Sequence, residues 1–257
     1  YHTTRNTKQT IRPNIMNILN KQYTLLELKK PYPVWIIDNF LNKETLDKIH
    51  KEWPDKDDSN WHGGHEMIDG EKNILEQGML SYDIKDTKGF MKEFLEFIHS
   101  EDFTNTISEI TNIKDLIGDN SMRWSGIRTM LPGSFQAIHS DARLSPETGL
   151  RKELTCLIYF NDWKRNDNGC FEVWNDDMTT CTNSFAPINN RMVIFLNTDK
   201  SYHGVPEVSA ERKSITWSIL KKGDVGKRSK ALFVSRPQDD KKIGELGKKR
   251  AYIQDAK

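Results

Sequence analysis

An antiparallel β-sandwich or jelly roll, mainly β with helices bracing its N-terminal side, is the fold class this sequence predicts. Three observations predict it. Residues 122–220 divide into short runs of strand formers separated by turn signals. Residues 31–115 instead carry apolar side chains at helical spacing. The 257-residue chain is 36% hydrophobic, with 11 Phe and 7 Trp, which is enough apolar material for one sizeable core.

Taken in order, residues 1–30 are polar and Asn/Lys-rich and read as an N-terminal extension that wraps onto the surface. Residues 31–41 read as a short strand leading into a helix. Asn42 is placed as its N-cap, and Leu46, Ile49 and Trp53 follow at helical spacing. A second amphipathic helix is expected over 88–100, where Met91, Phe94, Leu95 and Ile98 recur on one face. Strands are then expected over 124–131, 153–161, 170–174, 180–186, 191–196 and 214–220. Pro132-Gly133, Asn168-Gly169 and Asn189-Asn190 mark turns between them. The expected organisation is thus a single domain over 31–222, with helical support in 31–120 and a jelly-roll core in 121–222. Residues 223–257 are left as a basic tail.

Charge and cysteine content narrow the classes. The net charge of +1 indicates no particular partner, but residues 221–257 hold 12 Lys or Arg against five Asp or Glu. A basic tail can touch nucleic acid or an acidic partner. No aromatic or Gly-rich recognition pattern accompanies it, so a solvated tail is the plainer expectation. No segment reaches the roughly 20 apolar residues of a membrane helix, and the first thirty residues lack the apolar core of a secretory signal. Three cysteines, Cys156, Cys170 and Cys181, are too few and too scattered for a disulfide framework or a C-x-x-C zinc site. Buried thiols and a cytoplasmic compartment are expected.

The chemistry gathers around His139-Ser140-Asp141, at the end of an expected strand, with His203 sixty-two residues beyond Asp141. Residues i and i+2 of a strand share a face, so His139 and Asp141 can grip one ion. Two imidazoles and a carboxylate suit non-haem iron(II) and leave three positions open. Taken alone, H-x-D followed by a later His is a common pattern. Arg212, nine residues after His203, sharpens it, because a guanidinium holds a carboxylate by paired hydrogen bonds. Ser214 and Thr216 lie on the same strand face as Arg212 and can add hydroxyl donors. Together they describe a site for a dicarboxylate, one end at the metal and the other at Arg212.

The motifs from Arg128 to Leu220 resemble the catalytic core of the 2-oxoglutarate/iron(II) dioxygenases, most closely their prolyl-hydroxylase-like branch. The resemblance is carried by Leu131-Pro132-Gly133, His139-x-Asp141 and the run 154–163 (LTCLIYFNDW), then by 169–174 (GCFEVW) and 190–195 (NRMVIF). His203 with Pro206, Arg212-x-Ser214-Ile215-Thr216 and the lead-in 34–41 (VWIIDNFL) complete it. It implies a double-stranded β-helix binding iron(II), 2-oxoglutarate and oxygen, with ascorbate as a candidate reductant. It implies that His139, Asp141 and His203 are the metal and catalytic residues, with Arg212, Ser214 and Thr216 at 2-oxoglutarate. Tyr159 joins them as a second partner of the far carboxylate. Related halogenases have a small residue where Asp141 stands, so hydroxylation is the expected outcome here. Ligation needs neutral imidazole, so metal affinity is expected to fall as pH drops through the histidine range.

Three functions follow as expectations: hydroxylation of a peptide or protein residue, with proline first; hydroxylation of a small molecule such as a free or tethered amino acid; or a jelly-roll binding module without catalysis. Arg128 and Trp61 are candidate substrate contacts, with salt bridging and core packing as their plain alternatives. His62 and His65 flank Gly63-Gly64 in what reads as a loop, and residues 59–80 and 142–152 are expected to form either a lid or an open groove. Tyr159 has the alternative of a core tyrosine. Trp217 is out of phase with Arg212 and is expected on the other sheet face.

Overall fold

The computed structural model describes residues 3–5, 17–68, 71–224 and 231–234. The rest of the expected N-terminal extension and of the basic tail lies outside the described residues. The strands are β1 (Thr3–Arg5), β2 (Thr24–Leu28), β3 (Val34–Asp38), β4 (His62–Ile68), β5 (Glu71–Tyr82), β6 (Leu116–Gly118) and β7 (Gly126–Ser140). They continue as β8 (Arg151–Tyr159), β9 (Phe171–Trp174), β10 (Cys181–Phe185), β11 (Met192–Leu196), β12 (His203–Val205), β13 (Arg212–Lys221) and β14 (Leu232–Val234). The helices are α1 (Lys43–Lys51), α2 (Gly89–Phe97) and α3 (Glu101–Thr111).

All described pairings are antiparallel, in the order β1-β2-β3-β11-β8-β13-β7-β12-β9-β10. The ladder curls back on itself. Phe171 of β9 stacks on Phe195 of β11 with ring centroids 5.5 Å apart, although four strands separate β9 from β11 in the order. Val34, Ile36, Tyr159, Val173 and Val193 pack in the same cluster. The result is a jelly-roll double-stranded β-helix, the fold expected.

Strand alternation sorts the two faces. Leu154, Cys156 and Ile158 of β8 and Ile215, Trp217 and Ile219 of β13 pack in one cluster with Phe94, Leu95, Phe103 and Ile107 of the helices. Trp217 meets Phe103 edge-on at 5.8 Å, on the face away from Arg212 as its phase required. The intervening residues of both strands face the barrel interior. Helix α1 starts where expected, because the Asn42 side chain accepts from the Thr45 amide at 2.8 Å. The single helix expected over 88–100 ends earlier. Ser100 caps a new helix by accepting from the Phe103 amide at 3.2 Å.

The structure departs from the sequence reading in several regions. Residues 24–28 of the supposed extension form β2, laid antiparallel on β3, and Ile18 and Leu28 are buried. Pro132-Gly133 does not end a strand. Met79 faces Met130 and Gln77 faces Phe135, so residues 131–134 bulge out of a continuous β7. The Gly63-Gly64 stretch is likewise a strand, and β4 and β5 form a hairpin that adds to β7 through β5. Gly63 sits at a register shift with φ 103°, and a Cβ there would lie 3.0 Å from the Met79 carbonyl oxygen. Glycine permits that bulge rather than breaking the strand. The side chain of His65 lies outside what is described. Residues 142–152 form a short turn, bridged from Leu144 to Arg151. Finally, part of the tail folds, since β14 pairs with residues 138–140 of β7. Cys156 is buried as expected, whereas Cys170 and Cys181 are half-buried; all three are free thiols.

Candidate metal and cofactor site

The last residues of β7 and the short β12 lie side by side, with His139 directly opposite His203. Residues opposed across an antiparallel ladder point to the same face, and the two rings stand 4.1 Å apart between centroids. Asp141, one residue beyond the end of β7, turns its Oδ1 to within 3.5 Å of His139 Nε2 and 3.8 Å of His203 Nε2. The three candidate ligand atoms fall within 4.8 Å of one another. Both histidines are buried.

Each imidazole is fixed from behind. His139 Nδ1 lies 3.0 Å from the Ala137 carbonyl oxygen, and His203 Nδ1 lies 2.9 Å from that of Ser201. A carbonyl only accepts, so Nδ1 carries the proton in both rings, and a neutral ring turns the Nε2 lone pair toward Asp141. Phe195 and Phe171 flank His203 at 4.4 and 5.6 Å, while Phe233 of β14 stacks on His139 at 4.8 Å and 18°. Burial and the neighbouring His139 push the His203 pKa down to about 3, against the opposing pull of Asp141. That ring is therefore ready to ligate well into the acid range, below the interval expected from an ordinary histidine.

Asp141 is held by its other oxygen. Lys152 Nζ stands 2.7 Å from Oδ2, and Thr155 Oγ1 donates to the same atom at 2.9 Å. Asn197 in turn donates to Thr155 Oγ1 at 3.0 Å. Burial alone would raise the carboxyl pKa. Lys152 and then the two histidines outweigh burial and hold it well below the usual range. With Oδ2 occupied by protein donors, Oδ1 is the oxygen presented to an ion.

The second half of the site runs across β7, β13 and β8 in one register. Arg128, Ser214 and Tyr159 stand opposite one another, and Met130 faces Arg212. Arg212 is buried; its Nη2 donates to Tyr159 Oη at 2.9 Å and its Nε to the Gly169 carbonyl at 3.1 Å. Nη1 lies 3.6 Å from Met130 Sδ. Burial raises the Tyr159 pKa despite the adjacent guanidinium. Ser214 is buried and Thr216 half-buried on the same inward face. Arg128 shares that face. Trp61 does not join it: its indole donates to the Asp55 carbonyl at 2.8 Å and its ring packs on Tyr82 against the helix-side core.

Sequence reading missed Lys152, Thr155 and Phe233. Strict alternation assigns Lys152 to the helix side together with Leu154. The register slips there, because Ile219 faces Leu154 while Leu220 faces Lys152. Glu153 is thus an extra residue, and the bulge turns Lys152 inward.

With this geometry in place, residues 125–219 match the family model of the 2OG-Fe(II) oxygenase superfamily. No curated protein matches the chain in sequence. Among solved structures the chain is similar to a prolyl-4-hydroxylase from Pseudomonas putida, with TM-score 0.53 and 15% identity, over 74% of this chain and 93% of that one. It is similar to a prolyl 4-hydroxylase from Phytophthora capsici, with TM-score 0.51 and 20% identity, over 85% of this chain and 68% of that one. It also resembles a prolyl hydroxylase from Trichoplax adhaerens in complex with a hypoxia inducible factor oxygen degradation domain peptide fragment, with TM-score 0.51 and 13% identity, over 73% and 83% of the two chains. Residues 125–219 thus resemble the 2OG-Fe(II) oxygenase superfamily, the family of 2-oxoglutarate- and iron(II)-dependent dioxygenases, and the chain shares the fold of these prolyl hydroxylases.

Proposed function

We propose that this oxygenase hydroxylates a residue of a peptide or protein, with proline the first candidate, and that His139, Asp141 and His203 hold its iron. Arg212 and Tyr159 take the far carboxylate of 2-oxoglutarate in this reading, with Ser214 and Thr216 beside them. The observation that carries it is the pairing of a closed His-Asp-His cluster with a buried guanidinium on the same barrel interior. The donor set fits the ion: two lone pairs fixed by backbone carbonyls and one carboxylate oxygen left by Lys152 and Thr155. When bound, iron and 2-oxoglutarate supply the oxidative chemistry, with release of succinate and carbon dioxide. The chain's own part is to orient the ligands, anchor the co-substrate and enclose both within apolar walls. The peptide-bound relative from Trichoplax adhaerens supports a peptide substrate, and Arg128 lies on the interior face where a substrate contact would be useful.

Two measurements test this. Anaerobic titration of metal-free protein with iron(II) and 2-oxoglutarate should give the visible charge-transfer band of a chelated 2-oxo acid, and Asp141→Ala should abolish it. Succinate release is then screened over proline-containing peptides and free amino acids, with mass spectrometry for the gain of one oxygen atom. Turnover confined to free metabolites would overturn the peptide assignment while leaving the metal site intact.

A further inference from the structure

An ammonium group is costly to take out of water unless an opposite charge meets it, and Lys152 retains only 5% exposure. It reaches the interior through the Glu153 bulge. There its Nζ lies 2.7 Å from Asp141 Oδ2 and 5.1 Å from the centroid of the Trp124 ring. On the opposite side of the same carboxylate, the two imidazoles turn Nε2 toward Oδ1, at 3.5 Å for His139 and 3.8 Å for His203. Thr155 contributes a hydroxyl but no charge. Lys152 is therefore the basic group nearest to Asp141, on the side of the carboxylate away from the histidines.

We propose that Lys152 is a positioning residue that serves as the resident counter-charge of Asp141 in the metal-free protein. It keeps the carboxylate buried, with Oδ2 turned away and Oδ1 toward the histidines. The inference rests on the reading of His139, Asp141 and His203 as a metal site. A divalent cation at Oδ1 takes over much of the charge balance, so Lys152 matters most when the site is empty. Removing it harms the metal-free protein more than the metal-bound one. By linkage, the stabilisation gained on metal binding then grows.

The test is a thermal-unfolding cycle on full-length protein: wild type, Lys152→Met, Asp141→Asn and the double variant, each metal-free. Wild type and Lys152→Met are also measured with saturating manganese(II), a redox-stable probe. We expect Lys152→Met to lower the metal-free Tm by about 10 °C, as when one partner of a buried ion pair is removed. The double variant should melt well above the sum of the two single losses. Manganese(II) should raise the Tm of Lys152→Met more than that of wild type. Additive single losses, or a smaller manganese shift in Lys152→Met, would overturn the inference and leave Lys152 as packing. If Lys152→Met does not fold without metal, a folded double variant supports the inference and an unfolded one overturns it. Strong coupling in the cycle with no manganese shift in either protein would uphold the Lys152–Asp141 partnership and sink the metal reading instead.

Discussion

At one end of the barrel interior, His139, Asp141 and His203 turn their functional atoms toward one another and take their protein bonds from behind, from Ala137, Ser201, Lys152 and Thr155. At the other end, Arg212 turns its guanidinium onto the protein itself, to Tyr159, Gly169 and Met130. The triad end is preorganised around a point between His139, Asp141 and His203 that their functional atoms face. The arginine end is a buried cation held by internal acceptors, and in the proposed function an incoming carboxylate joins them. Ligand orientation at the first end depends on bonds one layer back, whereas affinity at the second depends on the contacting group.

That contrast is broken most directly at Arg212. Arg212→Met should weaken 2-oxoglutarate binding by roughly 100-fold, about 3 kcal/mol for lost charge-assisted bonds. Manganese(II) affinity should stay within a few-fold of wild type, as checked by calorimetric titration of each ligand. A variant that loses both equally would show the two ends to be one unit.

The next largest effect is on stability and separates the site from the helix-side core. His99 is buried under the helices, and burial lowers its pKa to about 4 from an ordinary 6.5, with Asp119 pulling the other way. Between those values the unfolded chain binds a proton that the folded chain refuses, so stability falls as pH falls. The full contribution is present above about pH 6.5, and up to about 3 kcal/mol is lost by pH 4. Urea unfolding of metal-free protein at pH 7 and 4.5 should show it, and His99→Leu should lose less. A slope that His99→Leu leaves unchanged would assign it elsewhere, with His203 first in line. The smallest effect is at Tyr159. Tyr159→Phe removes one hydroxyl from Arg212 and should weaken 2-oxoglutarate binding about 5-fold, or about 1 kcal/mol. No change in that titration would make Tyr159 a core residue that merely touches the guanidinium.

The clustering of His139, Asp141 and His203 was legible because i and i+2 at a strand end share a face, and the inward position of Arg212 followed from the phase of its strand. Asn42 and Trp217 were legible for the same reason, since a cap and a strand phase are local properties. Lys152 was not, because its direction depends on a bulge created by pairing with β13, which no short-range pattern encodes. The β4–β5 hairpin and β2 were hidden by Gly and polar residues. Their strand character comes from neighbours supplied by the fold, not from propensity. Phe233 sits in a stretch whose charge content reads as solvated tail, and only its pairing with β7 brings it inside.

That last strand, β14, reaches directly to the proposed metal site. Phe233 lies flat on His139, and β14 borrows its hydrogen-bonding edge from the same three residues of β7 that lead into Asp141. Two events that meet at one ring cannot be energetically private. Whatever factor metal occupancy contributes to keeping β14 docked, docking returns in the same measure to metal affinity. Residues 232–234 thus lie one strand away from the proposed metal ligands, and a force on that strand is felt first at the His139 ring.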